Sequence, residues 1–215
     1  MNFSITSIRN SIPLLAVLVS CIFSVFSIAT NRLLNNAAYG YLRAAEIFNA
    51  EGIRPVLDQY GWYGYSILIA LADHMLPGGL VASAHVLNIL SYALLVFTFI
   101  KICSEYQGAR RIELFAAITI LSYPQLNEMR YFLIRDFAFW AFTLLGFLLL
   151  IRFARDRKLV TALYCGLALL AAIVFRLEGL LLAGAAPAGL LASPGDRTAN
   201  VRLAAKLLLV LVSTF

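Results

Sequence analysis

Long apolar runs separated by short polar or charged stretches dominate this chain, and they cover residues 12–29, 81–100, 112–123, 137–151, 159–175, 179–192 and 203–215. A bilayer core about 30 Å thick takes roughly 20 residues of helix per crossing, so each run predicts a membrane span. The shorter ones cross by tilt, local thinning or snorkelling flanks, and 112–123, which stops at Pro124, is the shortest of all. The last run reaches Phe215 with no polar flank or cap. That pattern reads as a helix cut short, so the chain is expected to be the N-terminal piece of a longer protein.

Two segments follow a different pattern. Over 36–51, Ala38, Tyr41, Leu42, Ala45 and Phe48 recur at spacings of three and four while Arg43, Glu46 and Glu51 fall on other faces. This is the signature of an amphipathic in-plane helix, stopped by Gly52 with Pro55 just beyond. Residues 63–76 are apolar but too short to span comfortably; they follow the aromatic cluster Tyr60-Gly61-Trp62-Tyr63 and end in Asp73-His74 before Pro77-Gly78-Gly79. They predict a second helix lying in the interface.

Composition agrees with a membrane class and excludes others. With 62% apolar and 13% charged residues in 215, a soluble globule and a disordered chain are both ruled out. The predicted fold is therefore all-α, a single polytopic transmembrane bundle over residues 1–215 with two in-plane helices in its first outer loop. The net charge of +6 does not imply nucleic acid, because the basic residues gather in loops. If Arg9 is cytoplasmic and 63–76 does not span, then Lys101, Arg110, Arg111, Arg152, Arg155, Arg157, Lys158, Arg197, Arg202 and Lys206 are cytoplasmic too. That places 11 of 17 basic residues inside, including all three lysines. A spanning 63–76 would turn the Arg152–Lys158 loop outward, against the positive-inside rule. The predicted site is the cytoplasmic (inner) membrane, multi-pass, with the N-terminus inside.

This topology collects chemistry on the outer face. Glu128, Arg130, Arg135 and Asp136 lie between two spans, Arg176 and Glu178 at another boundary, and Arg32, Arg43, Glu46, Glu51, Arg54, Asp58 and Asp73 in the first outer loop. Ionisable groups at membrane depth are costly and mark functional sites, although pairing at a helix mouth or a solvated polar face explains many of them. Cys21, Cys103 and Cys165 stand alone, and His74 and His85 have no partner at ligand spacing, so no metal motif is read. The cofactor is left open, a divalent cation included.

The layout resembles the polytopic glycosyltransferases of the GT-C class, including the dolichyl-phosphate-mannose-protein mannosyltransferase and aminoarabinose transferase-like families. The resemblance rests on the first span, Tyr39-Gly40-Tyr41-Leu42-Arg43-Ala44-Ala45-Glu46 running into Gly52, and the aromatic stretch before Tyr65-Ser66-Ile67-Leu68. It continues through Arg110-Arg111, Ser122-Tyr123-Pro124 and Glu128-Met129-Arg130 to Arg135-Asp136. It implies transfer of a sugar from a polyprenyl-phosphate donor to an acceptor of unknown kind on the outer side. A lipid-linked sugar and membrane lipids are the implied partners, with no nucleic acid.

Such enzymes carry an acid just after the first span. Here that place reads Asn35-Asn36-Ala37-Ala38, and an amide cannot accept a hydroxyl proton. The catalytic base therefore passes to Asp136, then Glu46, then Asp58, or activity is absent. Arg130, Arg135 and Arg176 are the candidates for the donor phosphate, because guanidinium offers bidentate bonds to its oxygens, and Glu128 and Glu178 complete the substrate-binding set. Two other readings compete. A non-catalytic assembly or scaffold protein keeps the topology without a convergent acid cluster, and a transporter or flippase needs broken or ionisable sites near the midplane, of which Pro187 and Asn88 are the few candidates.

Overall fold

The computed structural model describes residues 11–31, 33–59, 62–107, 110–192 and 196–214. Arg9, Arg32, Tyr60, Gly61 and Phe215, each used in the reading above, lie outside them. Among the described residues the chain is all-α, with eleven helices and no strand. They are α1 Ser11–Thr30, α2 Asn36–Glu51, α3 Ile53–Gln59, α4 Gly64–Asp73, α5 Gly79–Gln107, α6 Arg110–Ser122, α7 Pro124–Glu128, α8 Asp136–Asp156, α9 Leu159–Phe175, α10 Gly179–Leu191 and α11 Arg197–Thr214. Three of them, α1, α5 and α8, are long and apolar enough to cross a membrane. The chain is a membrane protein. Leu14, Leu15, Leu18, Ile22, Val25 and Phe26 of α1 stay exposed, a lipid-facing surface that no neighbour covers.

Each run expected from sequence is a helix, with ends that differ by a few residues. The largest extension is α5, whose 29 residues make about 43 Å of helix. Its C-terminal turn stays helical because Glu105 takes hydrogen bonds from Arg152 at 2.9 Å and Arg155 at 2.6 Å, tying it to the end of α8. The next turn is short: Arg157 adopts a left-handed φ of 56° as the C-cap of α8, and the Asp156 carboxylate accepts from Lys158 N at 3.0 Å and Thr161 Oγ1 at 2.7 Å. The basic residues of α6's start and of the α8–α9 turn thus share one end of the bundle with the C-terminus of α5.

Two helices were not expected from the sequence, α3 and α7. The first is a short piece behind Gly52, whose φ of 84° ends α2. The second begins at Pro124, whose missing N–H and fixed φ suit the first helical position.

The segment between α1 and α5 packs closely. Gly78 and Gly79, at φ 111° and 80°, fold α4 back antiparallel along the first half of α5. Tyr65, Ser66, Ile69 and Ala70 of α4 are buried there, and the Tyr65 hydroxyl donates to Asn88 Oδ1 on α5 at 3.0 Å. Helix α2 lays Ala38, Leu42 and Ala45 onto the same cluster, with Leu133 from the segment before α8, Ala138 from the start of α8 and Phe175 from the end of α9. The in-plane segment is therefore more than an amphipathic strip, because its apolar face has protein partners.

Candidate functional site

Between α7 and α8 the chain is irregular; side chains from α5 and from the residue before α2 hold its backbone polar groups, and its own Arg130 reaches α1. Arg130 is 2% exposed. Its Nη1 donates to the Ser20 carbonyl and hydroxyl, each at 3.0 Å, and to Ser24 Oγ at 2.9 Å, while Nε donates to Asn127 Oδ1 at 2.8 Å. The guanidinium lies over the Tyr92 ring at 4.6 Å and near Phe23 at 5.6 Å. Asn88 Nδ2 donates to the Phe132 carbonyl, and Asn35 pairs with the peptide of Leu133. Irregular backbone is tolerated in a membrane protein where it is buried and satisfied in this way.

The segment delivers Arg135 and Asp136 to the start of α8. Asp136 does not pair with its neighbour. Its carboxylate accepts instead from Arg176 Nη1 at the end of α9, and Arg176 Nη2 donates to Glu178. One guanidinium thus bridges two carboxylates from two helix boundaries, with the Phe139 ring 5.7 Å away. Asp136 also sits in the first turn of α8, where the helix dipole favours a negative charge. Hydrogen bonds from Arg176 and from backbone hold Glu178 well below the usual carboxylate range, at about 2, and the same carboxylates raise Arg176 further above its ordinary value. The Arg176 Nε is buried and has no acceptor among the described residues. Tyr41 on α2 packs on the apolar group that includes Ala138, Phe139 and Phe175, next in the chain to the charged residues, and burial raises its phenol above the ordinary value.

The structure thus gathers Arg135, Asp136, Arg176 and Glu178 from the sequence candidates. The others stand apart. Arg130 is enclosed against α1, and Glu46 pairs with Arg43 at 3.2 Å on the exposed face of α2. Asp58 on α3 and Glu128 on α7 are exposed. Among the described residues no group of three His, Cys, Asp or Glu side chains is arranged to hold a metal ion.

Beside the cluster runs an apolar groove of about 590 Å³ between α5, α6, α7 and α8. Leu95, Phe99, Ile120, Leu126, Met129 and Trp140 form most of its wall. The α8 wall of the groove begins at Trp140, about one helical turn after Asp136, and Arg135, Asp136, Arg176 and Glu178 are not among its lining residues.

Sequence reasoning missed Asn35, Asn88, Ser20, Ser24 and Tyr41 as parts of this architecture. Asn88, a lone amide in a long apolar run, carried a usable signal. Ser20 and Ser24, four apart on α1, share one face, but small hydroxyls are common in membrane helices and point to nothing by themselves. No family model, curated protein or solved structure matches this chain.

Proposed function

We propose that this protein is a membrane-embedded glycosyltransferase that moves a sugar from a polyprenyl-phosphate donor to an acceptor on the extracytoplasmic face of the cytoplasmic membrane, with its N-terminus inside. The observation that carries the reading is the Asp136–Arg176–Glu178 bridge, with Arg135 next to it in the chain, at the start of α8, together with an apolar groove whose wall takes in Trp140 about one turn further along the same helix. A lipid-linked sugar phosphate has those two halves, an anionic head and a hydrocarbon tail. In this reading Arg135, which has no ion pair within 4.0 Å among the described residues, takes a phosphate oxygen, and the unfilled Nε donor of Arg176 takes another.

Transfer requires a base for the acceptor hydroxyl while charge builds on the departing phosphate. Asp136 is the base that this reading ranks first. Its carboxylate is held by Arg176 in the resting state, and a phosphate that draws Arg176 towards itself loosens that bridge and frees the carboxylate. Glu46 and Asp58 rank below it because each is exposed on the first outer loop. The resemblance to GT-C layouts supports the reaction class. The basic residues gathered at the opposite end of the bundle support the inside assignment.

The test uses purified full-length protein in nanodiscs with polyprenyl-phosphate sugars. The expected result is donor binding that Arg135→Ala weakens about tenfold or more, and transfer that Asp136→Asn abolishes. Absence of both donor binding and transfer in the wild-type protein overturns the reading and favours a non-catalytic membrane subunit.

A further inference from the structure

Asn35 stands at the N-cap of α2, yet its side chain caps nothing. The first turn is closed by the Asn35 backbone carbonyl, which accepts from Ala38 N at 2.9 Å. Its amide turns instead to a residue 98 positions away. Asn35 Oδ1 accepts from Leu133 N at 2.9 Å, and Asn35 Nδ2 donates to the Leu133 carbonyl at 3.4 Å. One side chain therefore satisfies both backbone polar groups of a single residue, as a neighbouring strand would. Leu133 itself is fully buried, so both of its backbone groups need partners inside the protein.

We propose that Asn35 is a positioning residue whose amide latches the start of α2 onto the backbone of Leu133 and so holds the Tyr41 ring in the packing with Ala138, Phe139 and Phe175 that adjoins the Asp136–Arg176 pair. The chain geometry sets the reach of this latch. Leu133 lies three residues before Asp136, and Tyr41 lies about a turn and a half of helix beyond Asn35. Tyr41 gains its second contact from an edge-on packing with Tyr65, ring centroids 5.1 Å apart. Tyr65 in turn is tied to Asn88, which grips the neighbouring Phe132 carbonyl. Two asparagines thus fasten the backbone of two adjacent residues, Phe132 and Leu133.

The chemistry also accounts for an amide rather than an acid at this place. A carboxylate at position 35 keeps an acceptor for Leu133 N–H but has no donor for the Leu133 carbonyl, and it sets two oxygens facing each other in a buried setting. The latch needs both halves of the amide.

The test follows the full-length protein in nanodiscs with 3-fluorotyrosine placed at position 41, read by fluorine resonance, and with hydrogen exchange read at Leu133. In the wild-type protein, Asp136→Asn shifts the position-41 resonance because the packing that holds the ring adjoins that charge. With Asn35→Ala the Leu133 amide exchanges about tenfold faster or more, while amides in the middle of α8 keep their protection, and the resonance no longer responds to Asp136→Asn. Asn35→Asp, nearly the same size, gives the same two changes and serves where the alanine variant fails to fold. Unchanged Leu133 exchange in these variants, or a resonance that still answers fully to Asp136→Asn, overturns the proposal. Neither readout involves a sugar, so the latch and the transferase reading fail separately.

Discussion

Arg130 donates to both the carbonyl and the hydroxyl of Ser20, each at 3.0 Å, and Ser20 lies ten residues before the end of α1. That is about 15 Å of helix, so a cation from an outer loop reaches the middle of a membrane-spanning segment. It does so among neutral acceptors and aromatic faces, with no carboxylate among its hydrogen-bond partners in the described residues. The cost of burying the charge is met by four hydrogen bonds and ring contacts, which dock α1 against the rest of the bundle.

Arg130→Ala is therefore expected to lower stability by about 2–4 kcal/mol, the range for breaking a buried charged network. Arg130→Lys recovers only part, because an ammonium cannot occupy the Nε and Nη1 positions together. Unfolding in detergent, followed by helical signal, measures both.

Acid should loosen the outer cluster in a defined window. Glu178 has a folded-state value of about 2 against an ordinary 4.5. A carboxylate with a depressed folded value contributes stability that is fully present above its unfolded value and is lost as pH falls through the folded one. Protection of amides 176–179 should stay level from pH 7 to about 5 and decline from there towards pH 2. Glu178→Gln should remove that decline, and hydrogen exchange across the pH range reads it.

Close packing at one glycine makes a sharper steric prediction. A Cβ on Gly64 would collide with the Val174 carbonyl oxygen at the end of α9, whereas one on Gly40 meets nothing within 4 Å. Gly64→Ala should destabilise by about 1–3 kcal/mol through the overpacked contact. Gly40→Ala, inside α2, should be neutral or stabilising by up to about 1 kcal/mol, through helix propensity alone. Paired melting curves in one detergent distinguish them.

Orientation is tested by cysteine labelling with a membrane-impermeant reagent on intact cells. A cysteine at Asp58, exposed on α3, should label, and one at Asp156, in the α8–α9 turn, should label only after the membrane is opened. Labelling of position 156 from outside would invert the proposed topology.

Much of this protein follows from its sequence alone. Apolar run length announces the helices, and 36–51 and 159–175 were placed to the residue, because burial in lipid or against one face imposes a local and periodic pattern. Gly52, Gly78 and Pro124 marked breaks for equally local reasons. Contacts between distant segments left no such trace. Asp136 and Arg176 are 40 residues apart, Arg130 and Ser20 are 110 apart, and Asn35 and Leu133 are 98 apart. Nothing in the spacing says that Asp136 prefers Arg176 to its neighbour Arg135, or that Arg130 turns inward to α1. Those choices depend on which helix ends come level when α4 folds back on α5 and α9 packs on α8. A side chain's partner is set by that three-dimensional register, whereas the helix that carries it is set by the residues next to it.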